Sequence, residues 1–294
     1  IPIEHGCYGA GMGGGAALMA RVEAGECVIA PDVHDLIAAQ LAADVGFGAI
    51  YLGSYASAAS RWGLPDQSVL TMSQLIDHAR IVCDRVDTPL ILDFEDGGGN
   101  AVTCFRNVEA AVRAGVAAVQ IEDDRPGKGL GADGIADLDE AVAKIRAASD
   151  ARADSGMLVI GRTGVVGIGG SVEQAIERCA AFADAGADLV TPGMLPGDGI
   201  ARVAAEVGVP VAGWAFGTAT PTELRAAGYS IAIYPMQTTI VTFEANRRFL
   251  LGLRDEGRGL DLGEGITLAS EMMDTNGGTR NQELARRYGF ACDA

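Results

Sequence analysis

The 294-residue sequence predicts an α/β chain folded as a (β/α)8 barrel of the TIM type, a single domain with a C-terminal helical extension. Two observations carry that prediction. A glycine that ends a helix, followed within three residues by a short apolar run, recurs in ADVGFGAIYL (43–52), VRAGVAAVQIE (112–122), ADAGADLVTP (183–192) and RAAGYSIAIYP (225–235). The runs are also apolar on successive residues, as strands are when both faces of a parallel sheet are buried. In each repeat Gly46, Gly115, Gly186 or Gly228 stands where a left-handed cap belongs, a conformation costly for any residue with a Cβ.

Taken in order, the elements complete the count. CVIAP (27–31) leads, and PLILDF (89–94), MLVIGR (157–162) and VPVAGWA (209–215) fill the gaps between repeats, giving eight strands. A capping box at Thr71 and Gln74 opens a helix over Ser73–Asp84, and Asn100 caps a helix with the stripe Ala101, Phe105, Val108 and Val112. Leu138, Val142 and Ile145 mark another helix. Ser171 and Gln174 form a second capping box before Val172, Ile176, Cys179 and Ala183. Gln237–Arg254 reads as the last barrel helix. The barrel therefore occupies residues 1–254, and 255–294 is a polar tail with one short helix near Gln282–Tyr288. Eightfold strand–helix alternation favours a closed parallel barrel over its rival, a doubly wound open sheet.

Composition narrows the function classes. With 39 acidic against 22 basic residues the net charge is −17, which repels phosphate backbones and anionic lipid. Nucleic acid and membrane are thus poor partners, and a small anionic substrate needs local cations or backbone N–H groups. The six cysteines (7, 27, 83, 104, 179 and 292) show neither a CxxC pair nor zinc spacing. Cys104 and Cys179 fall on apolar helix positions and read as core. Nothing demands disulfides, and neither a signal peptide nor a membrane span is visible, so a cytoplasmic location is expected.

Barrel enzymes place their chemistry where strands end, so the residues after each apolar run carry the most information. Strand 89–94 runs into Asp93-Phe94-Glu95-Asp96 and a triple glycine, and strand 118–122 ends in Glu122-Asp123-Asp124. Asp93 and Glu95 are two apart on an extended segment and can both face the barrel axis, with Glu122 joining them from the next strand. Converging carboxylates repel one another. A hard cation with oxygen ligands, Mg2+ or Mn2+, relieves that repulsion. Solvated loop acids are the plainer alternative. Arg162 ends strand 157–162 as a base suited to a substrate carboxylate or to a structural ion pair. The glycine runs at 97–99 and 167–170 lack nucleotide-binding spacing, and no Ser–His–Asp arrangement is suggested.

These segments resemble the isocitrate lyase/phosphoenolpyruvate mutase superfamily. LDFEDGGGN (92–100) is similar to its D-x-D-x-G-x-G-N metal segment, QIEDD (120–124) to its I-E-D-Q strand end, and VIGRTG (159–164) to I-A-R-T-D. YLGSYASAASRWGLPD (51–66) resembles the stretch that holds a 2-oxo-carboxylate. PDVHD (31–35) and IAIYPM (231–236) extend the similarity over roughly residues 15–253. The resemblance implies Mg2+ held by Asp93, Glu95 and Glu122, directly or through water. It implies a carboxylate pocket of Tyr51, Gly53 and Ser54, with the N–H groups of 53 and 54 as donors. Arg162 would clamp the carboxylate, and Asp66 would lie near the reacting carbon.

The departures matter as much. The lid that carries a catalytic Cys in family lyases, and an Asn in the mutases, reads Arg125-Pro-Gly-Lys-Gly-Leu-Gly131. Lys128 is its one reactive side chain. The second metal-segment Asp is Glu95, the Ser-Gly pair reads Gly53-Ser54, and the Asp of A-R-T-D is Gly164. The expectation is a divergent, Mg2+-dependent lyase or decarboxylase acting on a 2-oxo or 2-hydroxy acid through a metal-stabilised enolate. The alternatives are phosphorus–carbon bond chemistry, as in phosphoenolpyruvate mutase or phosphonopyruvate hydrolase, and a catalytically silent barrel kept for binding. Family barrels pair by exchanging a helix after the last strand. Ile240, Val241, Phe243, Phe249 and Leu250 suit either that homo-oligomer (dimer or tetramer) or ordinary packing on the barrel.

Overall fold

The eight expected strands form in the computed structural model, which describes residues 14–127, 130–131 and 134–290. They are β1 (Val28–Pro31), β2 (Ile50–Leu52), β3 (Leu90–Asp93), β4 (Ala118–Glu122), β5 (Leu158–Arg162), β6 (Leu189–Thr191), β7 (Val211–Trp214) and β8 (Tyr229–Tyr234). All ladders are parallel, in the order β1-β8-β7-β6-β5-β4-β3-β2, and a single bridge between Asp32 and Tyr51 joins the two ends. The result is a nearly closed barrel. The repeat glycines Gly46, Gly115, Gly186 and Gly228 all take φ between +83° and +103°, as the cap requires.

The helices follow the sequence signals closely. In chain order they begin with α1 (Gly14–Glu23), α2 (Leu36–Val45), α3 (Ser54–Ser57), α4 (Met72–Cys83) and α5 (Ala101–Arg113). After these come α6 (Leu138–Arg152), α7 (Val172–Asp184), α8 (Gly199–Glu206) and α9 (Pro221–Ala226). Both expected capping boxes and the Asn100 cap are present. Two features were not anticipated. The segment after β2, for which no element was expected, is helical: α3 continues into a π turn over Ala58–Trp62. And α1 plugs the floor of the barrel. Leu18 and Val22 pack among Val28, Ile91, Leu158 and Ile231, and a Cβ on Gly15 would collide with the carbonyls of Ala117 and Gly156.

Side chains alternate along each strand between that interior and the layer beneath the helices. On β3 Leu90 and Leu92 face the helices while Ile91 faces inward. On β5 Val159 faces out, and Leu158 and Ile160 face in. Carrying the alternation upward puts Asp32, Tyr51, Asp93, Gln120, Glu122, Arg162, Thr191 and Trp214 around the mouth. Cys104 and Cys179 are fully buried beneath helices, as their positions suggested.

Beyond β8 the picture changes. Helix α10 (Gln237–Glu256) starts where expected and runs two residues beyond Arg254, but it buries no residue. Among the described residues of the segment 255–294 there are two helices rather than one, α11 (Leu262–Thr275) and α12 (Gly278–Arg287), and neither has a buried residue. A hydrogen bond from Thr275 to Asp44 (3.4 Å) ties α11 to α2. Among the described residues no helix is long and apolar enough to cross a membrane.

Candidate active site

The mouth of the barrel gathers charge in a space almost closed to water. Asp93, Glu95, Glu122 and Arg162 are each no more than 9% exposed. Arg162 Nη1 lies 2.7 Å from Glu122 Oε2 and 4.0 Å from Asp93 Oδ1, and Nη2 lies 3.9 Å from Asp124 Oδ2. Its guanidinium stacks 4.3 Å from the centre of the Trp214 ring. Burial works against the Arg162 charge, but Glu122 and Asp93 outweigh it and push its pKa up. Burial raises the Glu122 carboxyl as well. Arg162 opposes that shift, and Asp93, Glu95 and Asp124 add to it.

The three acids ending β4 divide by the strand's alternation. Glu122 and Asp124 turn toward Arg162. Asp123 turns away and is held by Arg178 (2.6 Å) and the Gly164 N–H (2.9 Å). After β3 the chain bends sharply. Glu95 adopts φ +45°, unusual for a residue with a side chain, and its carbonyl accepts from the Glu122 N–H (2.8 Å). A buried ion pair between Lys144 and Asp96 (3.0 Å) braces this bend from α6.

Ser54 links the front of the site. Its hydroxyl lies 3.2 Å from Asp93 Oδ2 and 3.4 Å from Asp66 Oδ1 and can donate to either in turn, and its N–H donates to Asp93 (3.3 Å). The Gly53 N–H helps to hold the charge of the Asp32 carboxylate. Of the two main-chain donors expected for a substrate carboxylate, that of Ser54 is therefore engaged with one of the chain's own acids. Below them Tyr51 donates to Gln120 (3.0 Å), Gln120 donates to Thr191 (2.9 Å), and Thr191 donates to the Ala212 carbonyl. This relay from β2 through β4 and β6 to β7 satisfies the polar floor and fixes Tyr51. Burial first, and then Asp93, hold the Tyr51 hydroxyl well above its usual pKa, so it remains a donor.

The fold thus places Tyr51, Gly53, Ser54, Asp66, Asp93, Glu95, Glu122 and Arg162 at the same end of the barrel. Lys128 lies outside the described residues. Sequence reasoning missed Asp32, which follows β1 and is 1% exposed. Burial lifts its carboxyl to about 7, Thr239 and Gly53 oppose the shift, and Asp93 adds to it. The signal was available, since Asp32 follows the first apolar run immediately.

Two observations bear on a cation. Glu122 Oε2 and Asp32 Oδ1 are buried without a directed hydrogen bond. Three carboxylates (Asp93, Glu122 and Asp124) also lie within 4.0 Å of the Arg162 guanidinium, with Asp32 acting on Asp93 and Glu95 on Glu122. An oxygen-only, over-acidic set of this kind suits Mg2+ or Mn2+. Among the described residues no three His, Cys, Asp or Glu side chains stand close enough to enclose an ion. Such an ion would keep several waters, as Mg2+ commonly does.

Comparison with known proteins agrees with the fold and the strand ends. The family model described as phosphoenolpyruvate phosphomutase matches residues 18–252. The 2,3-dimethylmalate lyase of Eubacterium barkeri is 31% identical over 89% of this chain and 93% of its own. Among solved structures, oxaloacetate acetylhydrolase in complex with oxalate superposes with a TM-score of 0.86 at 28% identity, covering 95% of this chain and 99% of that one. A phosphonopyruvate hydrolase complex with oxalate and Mg2+ gives 0.81 at 27% identity, covering 94% and 99%. With a family match across the whole barrel and the family's strand-end residues gathered in one mouth, the chain belongs to the phosphoenolpyruvate mutase/isocitrate lyase superfamily.

Proposed function

We propose that the protein is a Mg2+-dependent lyase or decarboxylase that breaks a carbon–carbon bond in a 2-oxo or 2-hydroxy carboxylic acid. The observation that carries this reading is the buried Arg162–Glu122–Asp93 cluster, with more carboxylates than one guanidinium can neutralise. Asp93, Glu95 and Glu122 would hold the cation, which supplies positive charge beside the oxygen of a developing enolate.

The chain's own groups do the rest. Arg162 is the cation on hand for the substrate carboxylate, and its stacking on Trp214 keeps the guanidinium plane fixed as the anion arrives. Ser54 stands between Asp93 and Asp66, and its hydroxyl can take a proton from a substrate hydroxyl as it hands its own to the Asp66 carboxylate. Lys128, in the segment between β4 and α6, is the remaining candidate donor. The apolar side chains of the mouth and the relay beneath it exclude water, which strengthens every charge interaction there.

The solved relatives bound to oxalate, a planar dicarboxylate resembling the pyruvate enolate, support enolate chemistry. The likeness to phosphonopyruvate hydrolase keeps phosphorus–carbon cleavage as a second reading. Helix α10, with Val241, Phe243 and Leu250 at least 60% exposed, supports assembly as a homo-oligomer. The direct test is a turnover screen of 2-oxo and 2-hydroxy acids with Mg2+. At least one should be cleaved by the protein and not by Arg162→Ala. Inactivity toward every such acid would contradict the reading and favour a silent barrel.

A further inference from the structure

The turn that presents Glu95 has little stiffness of its own. Glu95 has φ +45°, and Gly97, Gly98 and Gly99 follow with φ of +83°, +85° and +122°. Glycines reach such angles freely and leave them as freely, so they do not hold a neighbouring side chain in place. The position of the Glu95 carboxylate is therefore set by what grips the turn from outside. The Glu95 carbonyl accepts from the Glu122 N–H (2.8 Å), and Glu95 Oε2 accepts from the Ser68 hydroxyl (3.3 Å). Asn107, on α5, donates its side-chain amide to the Gly97 carbonyl (2.9 Å).

The grip on the next residue is of another kind. Asp96 Oδ1 accepts from the Gly98 N–H (2.9 Å), and Asp96 Oδ2 pairs with Lys144 Nζ (3.0 Å). Lys144 stands in the middle of α6, 4% exposed, with Glu140 one turn before it at 3.7 Å. Two charges taken out of water at a helix interface are a poor way to gain stability, since apolar side chains of similar volume commonly do as well or better. What the pair adds is direction. It ties the backbone immediately after Glu95 to α6. The Lys144 carbonyl also accepts from the thiol of Cys104 (3.6 Å), the α5 side chain against which Gly97 packs without room for a Cβ.

We infer that Lys144 is a positioning residue for the cation: through Asp96 it fixes the turn that presents Glu95, and so raises affinity for a divalent ion it does not touch. The inference rests on the proposed cation site and adds the group that keeps one of its ligands in place. Electrostatics alone predicts the opposite sign. A lysine beside a cation repels it, so removing Lys144 without moving Glu95 would tighten binding.

Mn2+ titration, followed by the electron paramagnetic resonance of the free ion, tests this without turnover. Lys144→Met should bind Mn2+ about tenfold more weakly than the parent, the usual size of such a supporting contact. The substitution also leaves Asp96 buried without its partner, so folding is checked by urea unfolding. Should that variant fail to fold, Lys144→Met combined with Asp96→Asn carries the test. The combination removes both charges, keeps an acceptor for the Gly98 N–H and leaves the net charge unchanged. It too should bind Mn2+ about tenfold more weakly. Affinity equal to the parent's or higher in the folded variants would make the pair a support of the fold alone and overturn the inference. If the parent itself binds no Mn2+, the cation site fails, and this inference with it.

Discussion

The barrel mouth and the C-terminal arm depart from ordinary burial in opposite directions. At the mouth, charged side chains are packed almost out of water: Glu122 and Arg162 are each 5% exposed. In α10–α12 the apolar side chains are in water, with Phe243 69%, Leu262 77% and Ile266 62% exposed. Each region is incomplete by itself. Buried carboxylates in excess call for a cation or an altered proton count, and an exposed apolar helix calls for a surface to cover it. The difference teaches that the free chain is stabilised by its barrel layers, while both outlying features carry a cost that a ligand or a partner would relieve.

Substitutions can break that comparison, and the largest effect belongs to the mouth. Arg162→Ala leaves Glu122 and Asp93 buried without their counter-charge. It should cost about 3–5 kcal/mol in the metal-free protein, measured by urea unfolding, and should abolish oxalate binding. If the variant were as stable as the parent, the cluster would not be electrostatically tight. On the barrel floor, Leu18→Ala should cost about 2–5 kcal/mol, since it opens a void among fully buried neighbours. A loss below about 1 kcal/mol would mean that α1 does not plug the barrel.

Asp32 gives a smaller effect with a definite sign. Its carboxyl is raised in the fold, so ionisation works against folding. The stability it contributes is complete below its ordinary value of 3.8 and is lost as pH rises through about 7. Asp32→Asn should therefore gain on the parent between pH 5 and pH 8, by at most about 4 kcal/mol for a shift of that size. Parallel melting curves across that range would show that Asp32 is ionised at no cost. In the arm, Phe243→Ser should change stability by less than about 0.5 kcal/mol in dilute protein, as expected for an exposed position. The same substitution should shift sedimentation toward smaller species. Identical sedimentation would mean that α10 is not an assembly surface.

Much of the barrel was legible because its signals are local. A cap glycine, a capping box and a two-residue alternation each act over a few residues, and together they placed all eight strands and the inward set Asp93, Glu122 and Arg162. The missed parts depend on contacts distant in sequence. Gly15, which no sequence signal singled out, is what lets α1 approach the starts of β4 and β5. Helix α11 was masked by Gly263 and Gly265, although Asp261 caps it and Leu262 and Ile266 lie one turn apart. Asp32 lay outside the acids singled out, because the acid-rich ends of β3 and β4 drew attention first. The engagement of the Ser54 N–H group by Asp93 depends on how β2 and β3 meet. No single segment contains that information.

The central claim is that the mouth is a cation-dependent enolate site. Its most direct test is calorimetric titration of oxalate with and without Mg2+, repeated on Glu122→Ala. Binding should appear only with Mg2+ and vanish in the variant. Equally tight binding without a divalent cation, or none under either condition, would contradict the account.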